Sequence, residues 1–191
     1  MINSNIPSNN TKTFVNRYSI KEEIANSISH ACGLVAALIG TPFLVLRSVQ
    51  GESTEFMIGA SVFCVTIIFL YLTSTLYHAL PRGNAKHVFR LIEHSAIFLL
   101  IAGTYTPFML GVLYGVWGWT MLALIWTLAI AGVVLKAYYQ LSLPILFTVL
   151  YLMMGWIIVI AVDPMVARTP TEGLLLLLAG GLFYTVGVIF L

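Results

Sequence analysis

Six apolar runs take up most of this 191-residue chain, and each is close to the about 20 residues that a membrane-spanning helix needs. The segments between the runs are short and rich in Gly, Pro and polar residues, so no soluble domain fits between them. The pattern predicts an all-α polytopic transmembrane bundle with six spanning helices. The runs lie at 28–46, 56–79, 91–113, 117–135, 143–162 and 173–191.

The overall composition supports the same class of protein. Hydrophobic residues make up 60% of the chain and charged residues 8%, far from a soluble globular profile. The net charge is only +2, and the cations are dispersed between apolar runs instead of forming one basic face. We therefore expect membrane lipids as partners and no nucleic-acid binding.

The chain divides into a polar tail and one membrane domain. Residues 1–18 are rich in Asn, Ser and Thr and cannot bury a core, which predicts a flexible polar cytoplasmic tail. Ser19 is suited to cap a helix, with Glu22 three residues later as its reciprocal capping-box partner. Residues 19–191 are then a single transmembrane helical domain that begins with this helix.

The distribution of cations predicts the orientation in the membrane. Seven Lys and Arg residues fall on one side of the predicted spans, against Arg47 and Arg168 on the other. By the positive-inside rule, the N-terminus is cytoplasmic. The seven cations are Lys12, Arg17, Lys21, Arg82, Lys86, Arg90 and Lys136.

Several polar and ionisable residues fall at the cytoplasmic ends of the first three predicted helices. Ser74 and His78 are four residues apart and therefore share one helix face, while Glu93 and His94 open the next helix after a short basic turn. Ionisable groups within membrane spans are costly and are functional by default. These residues are predicted to share one pocket.

A second polar stripe leads into the first helix. Glu23, Asn26 and His30 follow one another at spacings of three and four residues, which places them on one helix face. Contact with lipid does not explain such a stripe. It is predicted to reach the same depth as Ser74 and His78.

Metal binding is the chemistry that suits these groups. Imidazole is a good zinc ligand, and a nearby carboxylate can orient a water or take a proton from it. Spacing alone does not make a closed ligand set, because three protein ligands are the usual minimum. Two structural alternatives stay open: Glu93 and His94 can mark a headgroup interface, and His78 can donate to a backbone carbonyl.

Three segments resemble signatures of the bacterial hemolysin III family: Glu22–His30, Ser74–Pro81 and Glu93–Pro107. That family belongs with the progestin and adipoQ receptors and more remotely resembles alkaline ceramidases, within a superfamily of intramembrane, metal-dependent hydrolases. The resemblance covers the chain from about Ser19 to its end. It implies a seven-helix fold and a protein of the bacterial cytoplasmic membrane.

The resemblance also implies roles for individual residues. His78 is implied as a zinc ligand, with Ser74 as a neighbour of the zinc site. Glu93 falls where relatives commonly have Asp, so a water-directing carboxylate there reaches about 1.5 Å further, the length of one methylene. Glu23, Asn26 and His30 match the N-terminal motif and are implied as supporting residues around the metal site.

In this family the seventh helix carries a His-x-x-x-His pair that supplies the other two zinc ligands. No His follows His94 in this chain. We therefore expect a protein shortened before a seventh helix, with the remaining zinc ligands on that helix.

Two functions from different classes remain. The first is a zinc-dependent membrane hydrolase acting on a lipid amide or ester, with His78 on zinc, Glu93 directing water and Ser74 polarising the site. The second is a non-enzymatic receptor-like, homeostatic or cytolytic membrane protein in which zinc is structural.

Three further expectations concern helix ends and packing. Pro107, preceded by Gly103, is expected to loosen or kink the third helix. Residues 163–170 are interpreted as the loop before the last span. Gly180 and Gly181, together with Gly187, are expected to be close-packing positions.

Overall fold

A computed structural model describes residues 19–51, 53–140 and 142–188 of the chain. The predicted flexible tail at residues 1–18 lies outside the described residues. Every regular element within them is helical. The elements are α1 (Ile20–Gln50), α2 (Thr54–Ala79), α3 (Asn84–Pro107), a π-helical turn (Phe108–Leu113), α4 (Gly115–Tyr139), α5 (Pro144–Trp156), a 3₁₀ turn (Ile157–Ala161), α6 (Val162–Arg168) and α7 (Thr171–Val188).

The described part of the chain contains six helical segments long and apolar enough to cross a membrane. The third combines α3 with the π-helical turn, and the fifth runs through α5, the 3₁₀ turn and α6. The prediction of an all-α polytopic transmembrane bundle is confirmed.

The start of α1 follows from its capping residues. The Ser19 side chain accepts a hydrogen bond from the backbone N–H of Glu22 at 3.3 Å. In return, the Ser19 backbone N–H donates to the Glu22 carboxylate at 2.6 Å. The capping box predicted from the sequence is therefore present, and it satisfies two N–H groups that the helix itself leaves unpaired.

Close backbone contact sets the register between α2 and α3. A Cβ atom added to Gly59 of α2 would lie 2.6 Å from the Pro107 Cα atom of α3. Further along the interface, a Cβ on Gly103 would collide with the Thr66 side chain. The two contacts belong to one register of the antiparallel helices α2 and α3. In each contact a glycine allows the two helices to approach closely. The same register continues to the far end of the pair.

The centre of the bundle is built around α3, half of whose spanning window is buried. Its apolar face packs against α4 and α5, and the Phe98 ring meets the Tyr151 ring at a centroid distance of 4.5 Å. This face makes α3 the element that aligns its neighbours. The core cluster includes Phe98, Ile101, Ala102, Tyr105, Met109, Leu113, Met121, Ile125, Ala129, Phe147, Tyr151 and Met154.

Helix geometry changes where Pro107 was expected to disturb the third helix. The α-helix ends at Pro107 and continues as the π-helical turn Phe108–Leu113. Proline cannot donate a backbone hydrogen bond, so a change in hydrogen-bond pattern at this point has a direct cause. The Thr106 hydroxyl donates to the Ala102 carbonyl at 2.8 Å, as a hydroxyl beside a disturbed helix can do.

The interpretation of residues 163–170 as a loop is wrong for most of that segment. The chain is helical as far as Arg168, and Asp163 and Pro164 form part of the first turn of α6. Proline is tolerated there, since first-turn N–H groups have no partner within the helix. Arg168 then donates to the Leu113 carbonyl and lies 4.5 Å from the Tyr114 ring centroid. These contacts tie α6 to the end of the third span.

The expectation that Gly180, Gly181 and Gly187 are close-packing positions is also wrong for the described residues. A Cβ atom added at any of the three would meet nothing within 4 Å. The reason is that α7 lies at the edge of the bundle and faces the core through other side chains, among them Leu177 and Tyr184.

Tyr105 joins α3 to the break in the fifth span, and we expect Tyr105→Phe to destabilise the protein by about 1–3 kcal/mol. Its hydroxyl lies 2.9 Å and 2.8 Å from the carbonyl oxygens of Met154 and Gly155 and accepts from the Ile158 N–H at 3.0 Å. Losing the hydroxyl leaves these backbone groups without that partner. Thermal unfolding in detergent measures the effect.

Tyr138→Phe is the matched control for this experiment, because Tyr138 is 84% exposed. It is expected to leave the unfolding temperature unchanged. Equal stability of the two variants would contradict a bridging role for the Tyr105 hydroxyl.

Candidate metal-binding site

The polar residues singled out in the sequence meet at one end of the bundle, which we call the site end. Here α1 begins, α2 ends and α3 begins, and residues 80–83 alone connect α2 to α3. The short connection holds the last turns of α2 against the first turns of α3. The register set by Gly59 and Gly103 then brings Ser74 opposite Glu93.

Ser74 and Glu93 form a direct hydrogen bond between α2 and α3. The Ser74 hydroxyl donates to Glu93 Oε1 at 2.5 Å. Ser74 is 1% exposed, and 12% of the Glu93 side chain is exposed. A carboxylate this far from solvent is stabilised by a hydroxyl donor, which also limits its rotation.

His78 lies between two carboxylates. Its Nδ1 atom is 2.8 Å from Glu23 Oε2, and its Nε2 atom is 3.8 Å from Glu93 Oε1. A histidine that donates Nδ1–H to a carboxylate presents Nε2 as the basic nitrogen, the arrangement found behind many metal-ligating histidines. Glu23 therefore contacts the Nδ1 side of the His78 ring, and Glu93 lies on its Nε2 side.

His30 brings a second imidazole to the same place. Its ring stacks on that of His78, with centroids 5.5 Å apart and planes inclined by 5°. The Tyr71 ring lies 6.0 Å from His30 on the other helix. The polar stripe of α1 therefore faces α2, and His30 stands beside His78.

Asn26 and His94 are less closely engaged. Asn26 is half-buried on α1 between Glu23 and His30, and no side-chain hydrogen bond joins it to another described site residue. His94 Nδ1 is 3.3 Å from Glu93 Oε2, outside hydrogen-bond geometry. The His94 carbonyl accepts from the Tyr151 hydroxyl at 2.7 Å, which ties the start of α3 to α5.

Lys86 is a site residue that sequence reasoning treated only as part of the basic turn. Its ammonium group is 3.1 Å from Glu23 Oε2 and donates to the Tyr77 and Leu80 carbonyls at 3.0 Å and 3.1 Å. It therefore caps the C-terminus of α2 and holds the carboxylate that contacts His78. A lysine soon after a helix end hints at such a cap, but the contact with Glu23 depends on how α1 packs.

Three side chains on three helices can hold a metal ion together. One ligand atom each from His30, His78 and Glu93 lies within 4.8 Å of the others. Two imidazole nitrogens and one carboxylate oxygen match the donor types that zinc prefers, and three protein ligands leave a fourth position open. The residues present therefore fit a metal ion, and His30 belongs to the ligand-capable group as well as to the supporting stripe.

Fold and site together define a polytopic helical membrane protein with a metal-capable polar cluster at one end of its bundle. The family described as "Haemolysin-III related" matches residues 18–191, and the chain belongs to this family. This agrees with the resemblance seen in the three sequence motifs.

Relatives in bacteria and animals support this assignment. The chain is 42% identical to a "Hemolysin-3 homolog" of Bacillus subtilis (strain 168) over 173 residues, covering 91% of this chain and 81% of the relative. It is 41% identical to "Hemolysin-3" of Bacillus cereus, covering 90% and 78%. It is 28% identical to the human "Monocyte to macrophage differentiation factor", covering 88% and 71%. No solved structure matches the chain.

Proposed function

We propose that this protein is a zinc-dependent membrane hydrolase that cleaves an amide or ester bond of a membrane lipid. The observation that carries the proposal is the interhelical chain of contacts from Ser74 through Glu93 and His78 to Glu23. It unites a nearly buried carboxylate with a metal-capable imidazole pair at one end of the bundle.

The imidazoles of His30 and His78 would hold the zinc ion, together with any histidines that lie on a seventh helix, and the Glu93 carboxylate would lie beside the ion. When bound, zinc supplies a Lewis acid that polarises a carbonyl oxygen and acidifies water. Glu23 and Lys86 keep the His78 ring in one orientation and one tautomer.

Glu93 is the residue best suited to move a proton. A carboxylate that accepts a proton from water and later returns it to a leaving amine or alcohol acts as general base and then general acid. Ser74 donates to one Glu93 oxygen, which fixes the position of the carboxylate and polarises the site around it. The site end lies at headgroup depth, where the amide and ester bonds of lipids are found.

Its place in the cell is part of the same proposal. The excess of Lys and Arg at the site end favours an N-terminus in the cytoplasm and a bacterial cytoplasmic membrane, by the positive-inside rule. Substrate would then enter sideways from the cytoplasmic leaflet, and hydrolysis would contribute to membrane-lipid homeostasis.

The Glu93→Gln variant tests catalysis. Removing the base is expected to lower hydrolysis at least about 100-fold, because general acid–base catalysis contributes about 10²–10⁴-fold. The measurement is fatty-acid release from a panel of ceramide-like amides and glycerol esters by zinc-supplemented protein in detergent. Zinc content is determined in the same samples, so that a loss of metal is told apart from a loss of the base.

Glu22→Gln is the matched control, because this carboxylate lies on the exposed first turn of α1 and serves the capping box. It is expected to retain hydrolysis. If zinc-loaded wild-type protein releases no fatty acid from any member of the panel, catalysis is refuted.

The second candidate, a non-enzymatic receptor-like, homeostatic or cytolytic protein with a structural zinc, is favoured by the names of the two bacterial relatives, "Hemolysin-3 homolog" and "Hemolysin-3". A structural ion would link α1, α2 and α3 through His30, His78 and Glu93. This candidate predicts a protein whose stability depends on zinc but that releases no fatty acid. It also predicts that the Glu93→Gln variant keeps its cellular phenotype as long as it retains zinc.

A further inference from the structure

Lys136 is a buried cation with no acidic partner among the described residues. It lies in the last turn of α4, one turn from the helix end at Tyr139, and is 2% exposed. No Asp or Glu of the described residues lies within ion-pair distance of its ammonium group. The ammonium group lies 4.1 Å from the centroid of the Phe147 ring. A charge removed from water without a counter-charge is costly, so the absence of an acid here calls for an explanation.

Arg90 is a second cation with an unused donor at the same depth. Its Nε atom is buried and has no hydrogen-bond partner in the described part of the chain. Gly132 of α4 packs against the Phe98 ring of α3, and Arg90 and Lys136 both lie on the site-end side of this contact, on neighbouring antiparallel helices. Two like charges held together in a poorly hydrated place are unfavourable unless an anion joins them.

The carboxylate closest to Arg90 along α3 is already engaged. Glu93, three residues after Arg90, accepts the Ser74 hydrogen bond and lies 3.8 Å from His78 Nε2. It is therefore a partner of the metal-capable group and not of the two cations. The helix α5 begins at Pro144, one turn before Phe147, so its N-terminal partial positive charge lies near the same place.

We propose that Arg90 and Lys136, at the junction of α3, α4 and α5, bind the phosphate group of an anionic lipid from the leaflet at the site end. Phosphate is the anion most abundant at headgroup depth, and it accepts charge-assisted hydrogen bonds from both side chains. Lys136 lies about 5 Å inside the end of α4, which is within the headgroup layer of a spanning helix. Neither cation belongs to the metal-capable group, and the inference does not depend on catalysis.

The test is lipid binding to delipidated full-chain protein, measured by native mass spectrometry. Phosphatidylglycerol is compared with diacylglycerol of the same acyl chains, which lacks the phosphate. We expect phosphatidylglycerol to bind tightly and diacylglycerol weakly. Lys136→Gln and Arg90→Gln should each weaken phosphatidylglycerol binding about tenfold or more, and Lys136→Arg should retain it.

Lys21→Gln is the matched control, because it removes one exposed cation from the same end of the bundle. It should change the affinity less than about twofold, as expected for a screened surface charge. If Lys21→Gln weakens binding as much as Lys136→Gln, or if diacylglycerol binds as tightly as phosphatidylglycerol, the proposal is overturned.

Two further arms complete the experiment. In the first, inorganic phosphate competes with phosphatidylglycerol. If it displaces the lipid from wild-type protein but not the lipid that remains on Lys136→Gln protein, the phosphate site is supported and its ligand is free phosphate. Failure of inorganic phosphate to compete supports a lipid source. If Lys136→Gln does not fold, Arg90→Gln carries the comparison, and unchanged phosphatidylglycerol binding by Arg90→Gln overturns the proposal.

Discussion

His78→Ala protein is expected to lose its zinc. Detergent-purified wild-type protein should hold about one zinc ion per chain, and the variant less than about one tenth of that. The reason is that His78 supplies the ligand-capable nitrogen at the centre of the group, between His30 on α1 and Glu93 on α3. Elemental analysis after dialysis against a weak chelator measures the effect.

Two other variants sharpen this result. His30→Ala should also remove zinc, because its imidazole is one of the ligand-capable groups. Protein that only binds zinc more weakly would show instead that His30 supports the site without binding the ion. Glu23→Gln should weaken zinc binding by about 10–100-fold without abolishing it, because the Glu23 carboxylate orients the His78 ring through its contact with Nδ1.

His87→Ala is the control for the loss of an imidazole at the same end of the bundle, since His87 lies outside the ligand-capable group. Its zinc content should equal that of wild-type protein. Zinc that stays with the His78→Ala variant would contradict the assignment of His78 as a ligand.

Gly59→Leu is expected to destabilise the protein by about 3 kcal/mol or more, near the upper end of overpacking effects. A Cβ at this position would lie 2.6 Å from the Pro107 Cα atom and 2.8 Å from its nitrogen. Backbone atoms cannot rotate away as a flexible side chain can, so α2 and α3 must separate. The expected fall in Tm is about 6–12 °C for a protein of this size.

The same substitution should disturb the site at the other end of the interface. Because one register carries both the Gly59 contact and the Ser74–Glu93 hydrogen bond, separating the helices should also lower zinc affinity. Gly40→Leu is the matched control, because a Cβ on Gly40 of α1 meets no atom of the described residues within 4 Å. Equal unfolding temperatures for the two leucine variants would show that the α2–α3 contact does not limit stability.

Local features of the chain were predictable to different degrees. The six spans followed from apolar length, and the start of α1 at Ser19 followed from a capping pattern that acts over three residues. The sequence does not predict where the fifth span ends, because Asp163 and Pro164 are typical both of loops and of the first turn of a helix. Which of the two applies depends on the contacts that follow, such as that between Arg168 and Leu113.

The candidate site was predictable as a list of residues but not as an arrangement. Spacings of three and four placed Ser74 with His78 and Glu23 with His30 on single helix faces. No spacing indicated that His30 would stack on His78, or that Lys86 would reach Glu23. The buried position of Lys136 was equally hidden, because the sequence shows only a cation near a helix end, which is usually a solvated anchor.

The difference has a physical reason. Membrane insertion and helix formation depend on properties summed along a short stretch of chain, namely apolar length and hydrogen bonds between residues four apart, so the amino-acid sequence alone decides them. The meeting of polar groups on different helices depends on register and rotation, which are decided where helices approach closely, as at Gly59 and Gly103. Only the packed bundle therefore brings Glu23, His78 and Glu93 together and buries Lys136 with no acid of the described residues at ion-pair distance.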